Sequence, residues 1–292
     1  MSELSKYMAR LDKLEQDRRR MVKEMMAKPF GDRVMSDARE SELDEIEREL
    51  LEKPPIIGTN DNGGPVFAGK GLLPEPEDRV LDVPPTSIQV IPQAEWPAYI
   101  EGQNGEEQLH VKRYVKHILN QSSVGSCAGE GITGAIMAVE NQSGQTPTKL
   151  NGYFPYHWSS GGVDQGSTLS ENIRVVQQYG VASEAVWPRS NGFRRTPSAE
   201  AMEDALQHKL LKFERLANWE EYGTCLLTCW PVYSGYSGHA WYGVRLISPT
   251  RLELANSWSP NWGDGGFGTL SERSVMWSYG VYVVRSAAEN RP

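Results

Sequence analysis

The sequence is poor in cysteine, with three in 292 residues, at positions 127, 225 and 229. So small and odd a number excludes a module stapled by several disulfides. No apolar run approaches the roughly 20 residues that a membrane-spanning helix needs. An excess of positive charge is also missing: 30 Lys and Arg stand against 38 Asp and Glu, for a net charge of −8. That balance gives no reason to expect nucleic acid or an anionic membrane as partner. The N-terminus, Met1-Ser2-Glu3-Leu4-Ser5-Lys6, lacks the apolar core and cleavage site of a signal peptide. A cytoplasmic or other reducing compartment is therefore expected. Four of the five histidines, His110, His117, His157 and His208, are scattered and show no metal-ligand spacing. There is no phosphate-binding glycine loop and no internal repeat, so neither metal nor cofactor is expected.

What is present centres on Gln121-Ser122-Ser123-Val124-Gly125-Ser126-Cys127-Ala128. A polar, glycine-containing approach leads to one cysteine, and Ile132, Ala135, Ile136 and Val139 follow at helical spacing. A cysteine on the first turn of a helix lies at the positive end of the peptide dipoles. This position lowers its pKa and favours the nucleophilic thiolate. Such a nucleophile needs an imidazole, a group that orients it, and oxyanion donors. Two stretches qualify: Ser237-Gly238-His239-Ala240-Trp241, and Asn256-Ser257-Trp258 followed by Trp262-Gly263-Asp264-Gly265-Gly266-Phe267.

The order Gln, Cys, His, Asn and the run Asn-Ser-Trp-x-x-x-Trp-Gly-x-x-Gly-aromatic resemble the papain-like cysteine peptidases. The resemblance implies an α+β, papain-like two-lobe fold: a helical lobe plus an antiparallel, barrel-like sheet lobe, here with an N-terminal helical arm. It implies that Cys127 is the nucleophile and His239 its acid and base. Asn256 would orient His239 without adding charge, and Gln121, six residues before Cys127, would supply an oxyanion donor. Trp258 would cover the Asn256–His239 bond, and Trp262 would wall the leaving-group side. Ser159-Ser160-Gly161-Gly162 matches the family's glycine pair, where Gly161 and Gly162 would let an extended substrate lie against the backbone. Ala128 stands where an aromatic residue usually follows the cysteine. Val124 and Ser159 occupy two positions that many relatives bridge with a disulfide.

Along the chain, residues 1–53 read as a charged helical arm. Leu4, Met8, Leu11, Val22 and Met25 fall near heptad spacing, and Pro29-Phe30-Gly31 breaks the pattern. A second helix is expected from Ser41, with Leu43, Ile46 and Leu50 on one face and a capping-box-like start at Ser41 and Asp44. Residues 54–105, rich in proline and glycine, read as an extended connector or pro-segment in which Ile88–Ile91 is a strand candidate. Residues 106–215 should hold the helical lobe, including helices over 170–179 and from an N-cap at Ser198. Residues 216–292 should hold the sheet lobe, with strands at 225–232, 239–246, 251–256, 266–270 and 280–285. Cys225 and Cys229 would then sit on one strand face as buried thiols that cannot bridge each other.

Two functions are compatible with these features, and a related thiol transferase or amidase that shares the fold is a third. The first is a thiol-dependent peptide-bond hydrolase working through an acyl-enzyme on a peptide or protein substrate. The second is a papain-fold assembly component, anchored to a protein partner through residues 1–105, with hydrolysis secondary or lost.

Overall fold

A computed structural model describes residues 37–52, 56–59, 65–67, 71–75, 88–103, 110–209, 212–236, 238–275 and 281–285, with scattered positions between 9 and 27. In chain order the elements are α1 (Asp37–Glu52), β1 (Ile56–Thr59), β2 (Pro65–Phe67), α2 (Trp96–Gln103), α3 (Cys127–Gln142), α4 (Tyr153–Ser159), α5 (Leu169–Gln178), α6 (Ala199–Ala205), β3 (Lys212–Arg215), α7 (Trp219–Leu227), β4 (Val232–Tyr236), β5 (His239–Ser248), β6 (Arg251–Ala255), β7 (Phe267–Ser271) and β8 (Val281–Arg285). β1 and β2 form a small ribbon of their own. The other strands make one antiparallel sheet in the order β3-β8-β4-β5-β6-β7. Helices α3 to α6 precede the sheet in sequence, giving the expected mixture of a helical lobe and an antiparallel sheet lobe. No helix among the described residues is long and apolar enough to cross a membrane.

The two lobes meet along α3. Ile132, Ile136, Met137 and Val139 are buried with Tyr233, Tyr242 and Val244 of the sheet. In sequence, Gly129, Gly131 and Gly134 look like helix weaknesses of about 1 kcal/mol each. In the fold they are clearances. A Cβ on Gly134 would overlap the Tyr242 ring, and one on Gly131 would press on Tyr233. Close approach buries four large apolar side chains at roughly 1.5–3 kcal/mol apiece, which outweighs the lost propensity.

A second core lies in the sheet lobe and includes a helix from before the helical lobe. Trp96 of α2 is fully buried against Trp219 and Gly223 of α7, and its indole N–H donates to the Ile91 carbonyl at 2.8 Å. The chain from Ile88 onward is therefore part of the body. Ile88–Ile91 is not a strand: the Ile91 N–H donates to the Thr224 hydroxyl at 3.0 Å rather than to a ladder.

The expected strand over 225–232 is corrected as well. Residues 219–227 form helix α7, and the strand begins at Val232. Asn218 caps the helix by accepting from the Glu221 N–H at 2.9 Å, and the Glu221 carboxylate accepts from the Ala217 N–H at 2.6 Å. Cys225 thus lies on a helix and Cys229 just beyond it, and all three cysteines are buried thiols outside any disulfide. α1 begins at Asp37 rather than Ser41. Its Leu43 and Ile46 are buried with Met21, and Asp44 pairs with the buried Arg251 at 2.6 Å, seating the arm on the sheet lobe. The positions expected at heptad spacing, the Pro29–Gly31 break and the Leu50 side chain lie outside the described residues. The helices at 169–178 and 199–205 stand as expected, and Ser198 accepts from the Ala201 N–H at 3.2 Å.

Candidate active site

Residues 120–126 cannot continue a helix, because their hydrogen bonds go elsewhere. The Gln121 N–H donates to the Ser257 carbonyl at 2.9 Å. The Ser122 N–H donates to the Asn120 side chain at 3.0 Å, and the Gly125 N–H to the Asp164 carboxylate at 2.9 Å. Helical bonding then starts, with the Glu130 N–H on the Ser126 carbonyl at 2.9 Å. Cys127 is thereby placed on the first turn of α3.

His239 opens β5, and Asn256 follows β6, the neighbouring strand in the sheet. Strand pairing closes the 17-residue gap between them: His239 Nε2 and Asn256 Oδ1 are 2.7 Å apart. The Ser257 N–H also donates to Asn256 Oδ1 at 2.7 Å. This carboxamide oxygen is therefore an acceptor, and Nε2 is the protonated nitrogen. Trp258 stacks on the His239 ring with centroids 4.2 Å apart and planes at 28°. Trp262 meets Trp258 edge-on, with centroids 5.6 Å apart. His239, Asn256 and Trp258 are all buried, so water is kept from the Nε2 bond.

Backbone groups of Gly71, Ala128 and Ala240, the last being the residue after His239, lie close enough to the Cys127 sulfur to favour its thiolate. The sulfur therefore lies at the His239 end of β5. Burial pushes the thiol up to about 11, against the partial relief of the Gly71, Ala240 and Ala128 backbone groups, and the Glu130 charge raises it further. The depression expected from the helix position is thus outweighed in this state, because the sulfur is wholly removed from water.

Gln121 is also fully buried. Its side-chain Oε1 accepts from the Ser257 hydroxyl at 2.6 Å, and Nε2 donates to the Val124 carbonyl at 2.9 Å. The loop before the cysteine is thus tied directly to the residue after Asn256.

The sulfur is covered by the chain's own segment Gly71–Glu75. Gly71 lies against Cys127 and Gly125. The Leu72 N–H donates to the Gly238 carbonyl at 3.0 Å. The Leu73 N–H donates to the Ser167 carbonyl at 3.0 Å, and the Ser167 N–H to the Gly71 carbonyl at 2.8 Å, so Leu72 and Ser167 bridge in parallel. The buried Leu72 side chain sits over Gly235. Glu75 accepts from both the N–H and the hydroxyl of Ser170 at the start of α5. The edge used here is Gly166–Ser167. Gly161 and Gly162, at φ 66° and 75°, turn the chain after α4, five residues short of that edge. Residues 71–75 lie within the 54–105 stretch expected to be a connector or pro-segment, but their pairing with Ser167 spans some 95 residues and has no local pattern. Among the described residues no group of three or more His, Cys, Asp or Glu could hold a metal ion.

No family model and no curated protein sequence matches this chain. Solved structures do. Xylellain, a cysteine protease from Xylella fastidiosa, aligns at 18% identity with a TM-score of 0.57, over 75% of this chain and 97% of its own. Digestive procathepsin L 3 of Tenebrio molitor larval midgut aligns at 13% identity with a TM-score of 0.52, over 98% of this chain and 100% of its own. At these identities the likeness is one of fold.

Proposed function

We propose that this chain, which has the papain-like two-lobe α+β fold, is a thiol-dependent peptide-bond hydrolase held latent by its residues 71–75. The observation that carries the reading is the His239–Asn256 bond, capped by Trp258, at the end of the strand whose Ala240 backbone lies by the Cys127 sulfur. With the segment displaced, the sulfur regains water and the field of α3, and a thiolate–imidazolium pair forms with His239. The thiolate attacks the substrate carbonyl carbon and drives its π electrons onto oxygen. The Cys127 N–H and the Gln121 carboxamide receive that oxyanion. Collapse breaks the C–N bond as His239 gives its proton to the departing amine. Water, deprotonated by His239, then attacks the thioester, releases the carboxylic acid and returns the thiol. Asn256 holds the imidazole in one tautomer throughout and adds no charge. Trp262 lies beyond Trp258, on the side we assign to the leaving group.

In this reading residues 71–75 mark the cleft. The Ser167 edge and the Gly238 carbonyl would bind an extended peptide by strand addition, with Gly161 and Gly162 shaping the turn that leads to it. The arm up to residue 75 is the removable or displaceable part. The body begins before Trp96, not at 105. An anchoring role for the arm is less favoured, because Met21, Leu43 and Ile46 already bury its described apolar face within this chain. Buried cysteines outside any disulfide suit a reducing compartment.

The test is turnover of a mixed peptide library by three proteins: the full chain, a chain cleaved between residues 75 and 88, and the cleaved chain carrying Cys127→Ala. The reading expects slow, fast and no cleavage respectively. Equal cleavage by the Cys127→Ala chain would overturn it.

A further inference from the structure

Glu130 is a buried carboxylate one turn beyond Cys127, and the proposed chemistry leaves it unused. Arg189 meets it as a fork, with Nη2 to Oε1 at 2.6 Å and Nη1 to Oε2 at 3.0 Å. A lone buried charge of this kind is costly, and apolar residues of similar volume would stabilise the fold as well. The value of the pair therefore lies in what else it holds. Arg189 Nη2 also donates to the Asn120 carbonyl at 2.7 Å. Its guanidinium lies 4.0 Å above the Tyr153 ring, and the Tyr153 hydroxyl donates to the Gln121 carbonyl at 3.1 Å. At the other end of the loop, the Ser126 hydroxyl donates to Glu130 Oε1 at 3.2 Å. Two consecutive carbonyls at the start of the loop and the residue before Cys127 at its end are thus fixed to one ion pair. Gly152 faces the carboxylate so closely that a Cβ there would overlap it, which leaves Glu130 no room to shift.

We infer that Glu130 and Arg189 form a positioning pair for the oxyanion site: they set the Asn120–Ser126 loop, and with it the Gln121 side chain and the Cys127 N–H, while Arg189 shields Cys127 from the Glu130 charge. The inference rests on the peptidase reading. Arg189 is well suited to both tasks, because its planar fork holds both Glu130 oxygens and the Asn120 carbonyl at once, a bidentate geometry that the point charge of a lysine does not reproduce. The ionisable groups that act on the sulfur are Tyr156 from α4, with Asp164 bonded to its hydroxyl, and Glu130 on α3 itself; His239 opens β5 next to Ala240, whose backbone also lies by the sulfur. Removing Arg189 leaves Glu130 as an uncompensated negative charge in that set.

The experiment compares Arg189→Lys, Arg189→Met, Glu130→Gln and the double Glu130→Met/Arg189→Met in the cleaved chain. It reads kcat and KM separately, the fraction of titratable sites, and the pH dependence of Cys127 alkylation by iodoacetamide. Arg189→Lys should lower kcat roughly 10- to 100-fold, less than outright loss of an oxyanion donor, with KM within about twofold. Arg189→Met should also move the alkylation profile to higher pH. The double variant should return the profile while kcat stays low. The inference is overturned by an unchanged kcat in Arg189→Lys, or by losses that follow only the fraction of folded, titratable protein. If Arg189→Met does not fold, Arg189→Lys and Glu130→Gln still decide the kcat question. If the parent chain cleaves no peptide, the peptidase reading fails by itself. Alkylation then decides whether the pair governs Cys127, and an unmoved profile overturns the inference.

Discussion

Gly71 lies so close to Gly125 that a Cβ on Gly71 would overlap the Gly125 carbonyl. Only a residue without a side chain lets the segment run this deep past the cysteine two positions further on. Gly71→Val should therefore lift the segment off the cleft. In the full chain, Cys127 should become alkylated at least severalfold faster, while the folded body is retained by circular dichroism. An unchanged alkylation rate would mean that the segment does not guard the sulfur.

The covered thiol also sets a pH dependence. Burial raises its pKa to about 11. A raised thiol pKa favours the closed, protonated form fully below the pKa of the uncovered thiol, and this preference is lost as pH rises from there through about 11. Alkylation of the full chain should stay slow through neutral pH and climb only in strong alkali. Cleavage between residues 75 and 88 should bring the onset down by several pH units, because solvent, the α3 dipole and His239 then act on the sulfur.

Trp96 tests where the body begins. It is fully buried, pressed on Gly223 and hydrogen-bonded to Ile91. Trp96→Ala should cost roughly 3–5 kcal/mol in denaturant unfolding, the usual range for a buried aromatic. A change below about 1 kcal/mol would return residues 88–103 to the connector.

His110 should shape the acid limb of stability. It is buried, and desolvation lowers its pKa to about 4, with the Arg245 charge adding to the effect. A depressed histidine pKa gives stability that is present above the unfolded value of 6.5 and lost as pH falls towards 4, by about 3 kcal/mol at most. His110→Gln should flatten the fall in melting temperature across that window. An identical fall would assign the acid limb to other groups.

The parts of the site that were legible in the sequence are those written in short spacings. The helical run after Cys127, the six-residue step back to Gln121 and the Trp258 beside Asn256 are each visible within a dozen residues. His239 and Asn256 were identified by context, and one strand pairing brings them together. What escaped was decided by distant partners. The apolar run from Cys225 to Val232 looks like a strand, yet its first part belongs to helix α7, which starts at Trp219 and packs on both α2 and the sheet. The Asn218-x-x-Glu221 cap was the available signal for that helix. Glu130 and Arg189 lie 59 residues apart and belong to no motif.

The account depends on Cys127 and His239 acting as one nucleophilic unit. The most direct measurement is labelling of the cleaved chain by a peptidyl vinyl sulfone, with the adduct located by mass spectrometry. One adduct per chain should form on Cys127 and none on Cys225 or Cys229, and its rate should collapse in His239→Ala. An adduct elsewhere, or an undiminished rate without the imidazole, would contradict the account.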